Sequence, residues 1–300
     1  MTSDIYFKNV IDLVLFTVVD LEKLRKNVWD EDLISPAGTL YESTRKDSDL
    51  ALFVVTVPAK DGGQFAEGHR RMLPGGAIGA GESLDQASRR LAWELIGIPH
   101  HTKLRQVGIF DDPDRNPNER VISFAYWGMV DFEYLRKFLG GRDRVGLELV
   151  SSMAHLRTVE ELAIPLEIFD GISRFGGRQA IGAQTGRTHE RVPNPIVNGK
   201  ILELDHDDMV FYAWRKLRHV FNGRMNPFSV LGFNPLTEAF PLSDMQQLAE
   251  VCRGERVKRD TFRRQMTSED SFLRPVGKAD SNSELKRPGK PANLYTPDES

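Results

Sequence analysis

The sequence predicts an α/β domain built on a mixed sheet, followed by a small helix–turn–helix module with extended pieces after it. Three observations predict this. β-Branched and aromatic runs at 10–19, 50–57 and 121–130 surround one amphipathic helix that begins near Ser83. A glycine- and proline-bearing stretch at 166–200 then interrupts the pattern. Beyond it lie two short helical patterns, the second crowded with arginine and lysine. The chain has 300 residues. At about 100–200 residues per domain this suggests two domains. The expected division is 1–165, a linker or elaborated loop at 166–200, and 201–300.

Residues 10–19 and 50–57 read as buried strands, joined by a polar connection with a short helix expected near Leu21–Val28. Residues 72–78 form a tight Gly/Pro turn with extended flanks. The helix after it opens on Ser83 and Gln86, which have the spacing of a capping box. It is expected to stop at Gly97. Residues 121–130 form a further strand, preceded by a loop of turn-forming residues at 111–118. A helix is expected over 203–222, where Met209, Ala213, Trp214, Leu217 and Val220 recur at helical spacing.

The C-terminal pattern begins with a second capping-box spacing at Ser243 and Gln246 and the stripe Leu242, Met245, Leu248 and Val251. Gly254 is placed to end that helix. A second helix is expected from about Lys258 to Met266, with Phe262 and Met266 facing inward. Extended pieces at 271–276 and 292–295 read as the strands of a wing.

Composition bounds the function. The net charge is −3, from 40 Lys plus Arg against 43 Asp plus Glu, which excludes a uniformly basic, nucleic-acid-coating surface. The charge is unevenly spread, because residues 253–264 hold six basic and only two acidic side chains. A single cysteine, Cys252, excludes a disulfide framework and a zinc site built on cysteines. It reads as at most mildly reactive. No apolar run approaches the roughly 18–20 residues that span a bilayer. The N-terminus lacks the basic start of a signal peptide, so the cytoplasm is expected and no membrane partner. Trp93 and Trp214 read as core residues, His206 as a helix-start residue, and His100 and His101 as a surface loop.

The most informative stretch is 76–98. Gly76, Glu82, Arg90, Ala92, Glu94, Gly97 and Ile98 stand at fixed offsets, with Leu73-Pro74-Gly75 in front. This stretch resembles the Nudix box: Gly, five residues, Glu, seven residues, then Arg-Glu-U-x-Glu-Glu-x-Gly-U, with U aliphatic. The resemblance implies a Nudix-like α/β/α sandwich. Two positions depart from it, since Leu91 and Leu95 stand where the box has glutamates. In an active member those carboxylates hold a hard divalent cation against a diphosphate. Positions 91, 94 and 95 share one helix face, and Glu94 alone cannot assemble such a cluster. No metal site and no catalytic residues are therefore expected. Glu82 and Arg90 are expected to orient loop and helix.

The stretch from Gln106 to Tyr126 resembles a segment of ADP-ribose pyrophosphatases and their regulatory relatives. That resemblance implies an effector site drawn from Gly75, Gly76, Glu82, Arg90, Glu94, Phe110, Arg115, Arg120 and Tyr126. In it, Arg115 or Arg120 pairs with a phosphate, and Phe110 or Tyr126 stacks on a base. For each aromatic singly, sheet core is the commoner fate.

Leu204-Asp205-His206, the run from Phe240 to Gln246, Lys258 to Arg264, and Arg287 to Tyr295 together resemble the Nudix-related transcriptional regulators typified by NrtR. That family joins a Nudix-like sensor to a winged helix–turn–helix. The resemblance implies a repressor of NAD-biosynthesis genes, or in some relatives a regulator of sugar catabolism. It also implies an ADP-ribose-like or sugar-related effector, no required cofactor, and a homodimer on double-stranded operator DNA. Half-sites would stand about 34 Å apart if the usual geometry holds. Candidate DNA-binding residues are Arg256, Lys258, Arg259, Thr261, Arg263 and Arg264 around the second helix. Lys286, Arg287 and Lys290 are the candidates on the wing. Thr261 and Arg264 are placed to read bases; Lys258, Arg259 and Arg263 read bases or grip phosphates. The alternatives are an active Nudix ADP-ribose pyrophosphatase, and a C-terminal module that binds protein rather than DNA.

Overall fold

Strand β1 (Lys8–Asp20) forms the spine of the N-terminal sheet, pairing parallel with β6 (Val121–Met129) and antiparallel with β2 (Leu50–Pro58) and β4 (Gly75–Ala77). Strand β5 (Arg105–Phe110) runs antiparallel to β6, and β3 (Arg71–Met72) and β7 (Gly146–Leu149) run antiparallel to β2. The sheet is therefore mixed, as the sequence predicts. The computed structural model describes residues 7–20, 50–59, 71–139, 146–149, 202–222, 225–268, 271–278 and 292–298. The expected helix near Leu21–Val28, the 166–200 stretch, and Lys286, Arg287 and Lys290 lie outside the described residues.

The period-2 geometry of β1 sends Ile11, Leu13 and Leu15 to one face and Val14 and Phe16 to the other. Helix α1 (Leu84–Ile96) covers the first face with Ala87, Leu91, Ala92 and Ile96. Leu135 of α2 (Phe132–Leu139) joins the same cluster. The capping box at the start of α1 forms: Gln86 N donates to Ser83 Oγ at 3.2 Å, and Ser83 N donates to Gln86 Oε1 at 2.9 Å. Gly97 ends the helix at φ 81°, in the left-handed region.

Helix α3 (His206–Val220) covers the second face. Its Met209, Val210, Ala213, Trp214 and Leu217 belong to one buried cluster with Val14, Phe16, Val54 and Trp127 of the sheet. The same cluster takes in Phe228, Phe240, Met245, Leu248, Phe262, Met266 and Tyr295. These come from α4 (Pro227–Leu231), β8 (Phe240–Pro241), α5 (Leu242–Arg253), α6 (Arg259–Met266) and β10 (Asn293–Pro297). Helix α3 thus packs on the sheet and on the elements that follow it within one cluster.

The C-terminal strands form a separate sheet in the order β8-β10-β9, with β9 (Leu273–Lys278) at one edge. The helix pair α5–α6 followed by this sheet is a winged helix. The second capping box does not form. Pro241 occupies the N-cap of α5, and Ser243 Oγ donates to Asp244 Oδ1 instead. Gln246 donates to Glu250 Oε1 and to the Val257 carbonyl, so it braces the α5–α6 turn.

That turn is built around Gly254, at φ 65°. A Cβ there would lie 2.7 Å from Trp214 Cζ2. Trp214 is fixed in its place by Nε1–H donation to the Cys252 carbonyl at 2.8 Å. Gly254→Ala combines a left-handed backbone with this overlap, and is expected to cost about 1–3 kcal/mol in chemical denaturation. Wild-type stability in this variant would contradict the packing.

Candidate functional site

The loop before α1 is held by one carboxylate. Glu82 accepts Gly79 N–H at 2.7 Å and both Arg90 Nε and Nη2, at 2.6 and 2.9 Å. Arg90 also donates to the Ala77 carbonyl at 3.1 Å and to Glu94 at 2.9 Å. The loop comes so close that a Cβ on Gly79 would lie 2.8 Å from Glu82 Oε2. The Arg90 hydrogen bond, then the Gly79 N–H, lower the Glu82 pKa to about 2, while Glu82 raises that of Arg90. Glu82 and Arg90 therefore orient loop and helix, the role expected of them.

Of the three box positions on the outer helix face, only Glu94 carries a carboxylate. It is half exposed and bonded to Arg90. Leu91 is buried, with its Cδ2 2.9 Å from where a Cβ on Gly76 would stand. Leu95 is half-buried against the same core. Among the described residues, no three His, Cys, Asp or Glu side chains cluster to hold a metal ion.

The other effector candidates do not converge. Tyr126 lies under α1, with burial the main cause of its raised pKa and the Asp85 charge a lesser one. Phe110 faces the opposite side of the sheet, 1% exposed, with its ring 6.3 Å from Tyr212 of α3. It is core and not a base-stacking residue, which corrects the sequence expectation. Arg115 is also corrected. Its side chain is 2% exposed and makes a bidentate pair with Asp205, Nε at 3.0 Å and Nη2 at 2.7 Å. Burial lowers its pKa, but Asp205 and then Asp12 outweigh this and raise it. It joins the sheet domain to the start of α3 and does not face a ligand.

Arg120 stays at the surface. It donates to the Asp111 carbonyl at 2.8 Å and sits over the Phe7 ring at 5.7 Å. Phe7 in turn borders a cleft of about 440 Å³ with Lys8, Ile78, Gly79, Leu84 and Phe124. Sequence reasoning missed Phe7 and Lys8, which belong to no motif. Phe124 was legible only as the i−2 neighbour of Tyr126 on one strand face.

Two further expectations change. Trp93 is 47% exposed and stacks on His100 at 5.6 Å, so it is not core. Cys252 is fully buried and its pKa is pushed up by burial, which makes it inert. His206 does start α3, and it is buried there.

The described candidates around the second C-terminal helix are all exposed. Helix α6 buries Phe262 and Met266 and exposes Arg259, Thr261, Arg263 and Arg264 on its remaining circumference. Lys258 is its N-cap, and Arg256 is exposed in the turn before it. The edge strand β9 adds Arg274 and Lys278, both exposed, flanking the half-exposed Val276. These two cations were missed; a register shift leaves Val276 without a partner position between them, so simple alternation does not align them. Lys103 Nζ and Arg105 Nε, from the sheet domain, donate to the Ser229 and Val230 carbonyls at the end of α4, at 2.8 and 3.4 Å.

Residues 232–296 match the family model of the NrtR DNA-binding winged helix domain. NrtR of Shewanella oneidensis in complex with a 27mer DNA is a similar solved structure. It is 18% identical, with TM-score 0.55, over 96% of this chain and 92% of that one. NrtR of the same organism solved without DNA is 19% identical, with TM-score 0.55, over 97% and 94%. A MutT/nudix family protein from Enterococcus faecalis is 14% identical, with TM-score 0.56, over 99% and 88%. No curated protein matches the chain. The chain therefore shares its overall fold, an α/β sandwich followed by a winged helix, with these proteins. Residues 232–296 are thus a winged helix of the NrtR DNA-binding type.

The Glu82 clamp gives a pH prediction with a definite sign. A carboxylate held near 2 in the folded chain, against 4.5 ordinarily, contributes stability above about 4.5 and loses it as pH falls toward 2. The Gly79 amide resonance should hold its position down to pH 4.5 and move with a midpoint near 2. A midpoint at the ordinary value would mean that the clamp does not form. Glu82→Gln should abolish the titration.

Proposed function

We propose that this chain is a cytoplasmic repressor that binds double-stranded operator DNA as a homodimer, and that an ADP-ribose-like nucleotide changes its affinity for that DNA. The observation that carries the reading is α6. Its buried Phe262 and Met266 seat it in the core shared with the sheet, which leaves Arg259, Thr261, Arg263 and Arg264 turned outward together. A helix so placed suits the major groove, with arginines on guanine edges and the flanking cations on phosphates. Lys258, Arg256 and the wing supply the sequence-independent part of the affinity. The DNA complex of the Shewanella protein supports this choice of partner.

For the effector, the cleft at Phe7 and Phe124 offers aromatic surface, with Arg120 and Lys8 beside it. That pairing suits a ligand with a base at one end and phosphates at the other. Gly75, Gly76, Glu82, Arg90 and Glu94 shape the loop alongside. Hydrolysis is lost in this reading. One exposed glutamate flanked by packed leucines gives no ligand set for the ions that the Nudix reaction needs. Among the described residues, no helix is long and apolar enough to cross a membrane.

Two assays test this. In gel shift or anisotropy on the upstream region of its own gene, wild type should show a specific complex that weakens steeply with salt. Arg264→Ala should cost about 1–3 kcal/mol on the specific site, and Lys258→Ala should reduce the salt slope by about one. Equal affinity for operator and random duplex would defeat the regulator reading. The purified chain with magnesium and ADP-ribose should release no AMP; sustained turnover would restore the hydrolase alternative.

A further inference from the structure

The start of α3 carries two features that local energetics disfavour. Leu204 has φ 57°, in the left-handed region that a leucine rarely enters. Asp205, the N-cap, belongs to the residue types best suited to capping a helix, yet its side chain makes no cap hydrogen bond. Both its oxygens are instead taken by Arg115. A local arrangement that gives up its cap and holds a strained residue is kept in place by tertiary contacts.

Those contacts all lead back to the turn before α1. Asp12 lies on the α3 face of β1, buried, with Ser123 Oγ donating to it at 2.6 Å. Arg115 Nη2 stands 3.6 Å from its Oδ2, and His206 Nε2 stands 3.8 Å from its Oδ1. Asp12 is in register with Gly75, where a Cβ would lie 2.3 Å from Asp12 Oδ1. His206 Nδ1 accepts Leu73 N–H at 3.0 Å, and Glu203 N–H donates to the Arg71 carbonyl at 3.0 Å. The segment 71–76 therefore touches both the buried charges and the first turn of α3, and it runs directly into the loop that Glu82 closes. Midway along, α3 holds the α5–α6 turn through Trp214, Cys252 and Gly254, and nearer its far end Arg218 pairs with Glu255 at 3.4 Å.

We infer that the buried Asp12–Arg115–Asp205 cluster couples the loop at 75–82 to α3, and through α3 to the DNA-reading helix, with Arg115 as the positioning residue. The inference rests on the reading above for what binds at each end. The charges make the joint two-state: Arg115 leaves Asp205 only at the cost of an unpaired buried charge, so the segments on its two sides rearrange together.

The test is hydrogen–deuterium exchange on the full chain without ligand, followed by DNA binding with and without ADP-ribose. Asp205→Asn keeps the shape and removes one charge. It should speed exchange in both 71–79 and 206–212, on the order of tenfold. Leu204→Gly relieves the backbone and keeps the charges, and should slow exchange in both segments. In either variant, a change confined to 203–212 overturns the inference, because the cluster then anchors only the helix end. If Asp205→Asn does not fold, Leu204→Gly decides alone. In the DNA arm, Asp205→Asn should retain operator binding and lose its response to ADP-ribose. An undiminished response also overturns the coupling. A wild type that ignores ADP-ribose counts against the effector reading, while the exchange arm still decides the coupling.

Discussion

Helix α3 is apolar on two sides, and both sides are spent. Met209, Ala213, Trp214 and Leu217 close the second face of the sheet and the inner face of the winged helix within a single buried cluster. Each large apolar side chain among them contributes about 1.5–3 kcal/mol by leaving water. Neither neighbour can release α3 without exposing its own core. The position of α6 relative to the sheet therefore follows from hydrophobic burial, and the polar contacts of Arg115, Lys103 and Arg105 set its register.

The Nudix-type helix has kept its scaffold and changed its outer face. The Glu82–Arg90 clamp, the Ser83 capping box and the Gly97 stop all hold the loop and helix in place. Leu91, however, packs on Gly76, and Leu95 joins the same core. Carboxylates at these positions would have to be desolvated against apolar surface unless a cation compensated them. In the proposed reading, the leucines at these positions add to the core where carboxylates would need a cation.

Much of this was legible in the sequence, for reasons that differ by residue. The strands, α1 and α6 follow from periodicity and from local signals such as Ser83, Gln86, Gly97 and Gly254, whose partners are a few residues away. The basic face of α6 follows from composition within one helix. The misreadings share the opposite property. Arg115 finds Asp205 ninety residues on, where no local pattern points. Phe110 turns to the α3 side of the sheet after a bulge between Gln106 and Gly108, which alternation alone does not reveal. The Ser243–Gln246 spacing is right for a capping box, but the helix starts two residues earlier than that box requires, at Leu242, and Gln246 is drawn to Val257. Tertiary demand overrode a local signal in each case.

The sheet domain and the winged helix share one core through α3. Differential scanning calorimetry of the full chain tests it most directly. The account predicts one cooperative transition, with calorimetric and van't Hoff enthalpies in agreement. Two separable transitions, one for the sheet domain and one for the winged helix, would contradict it.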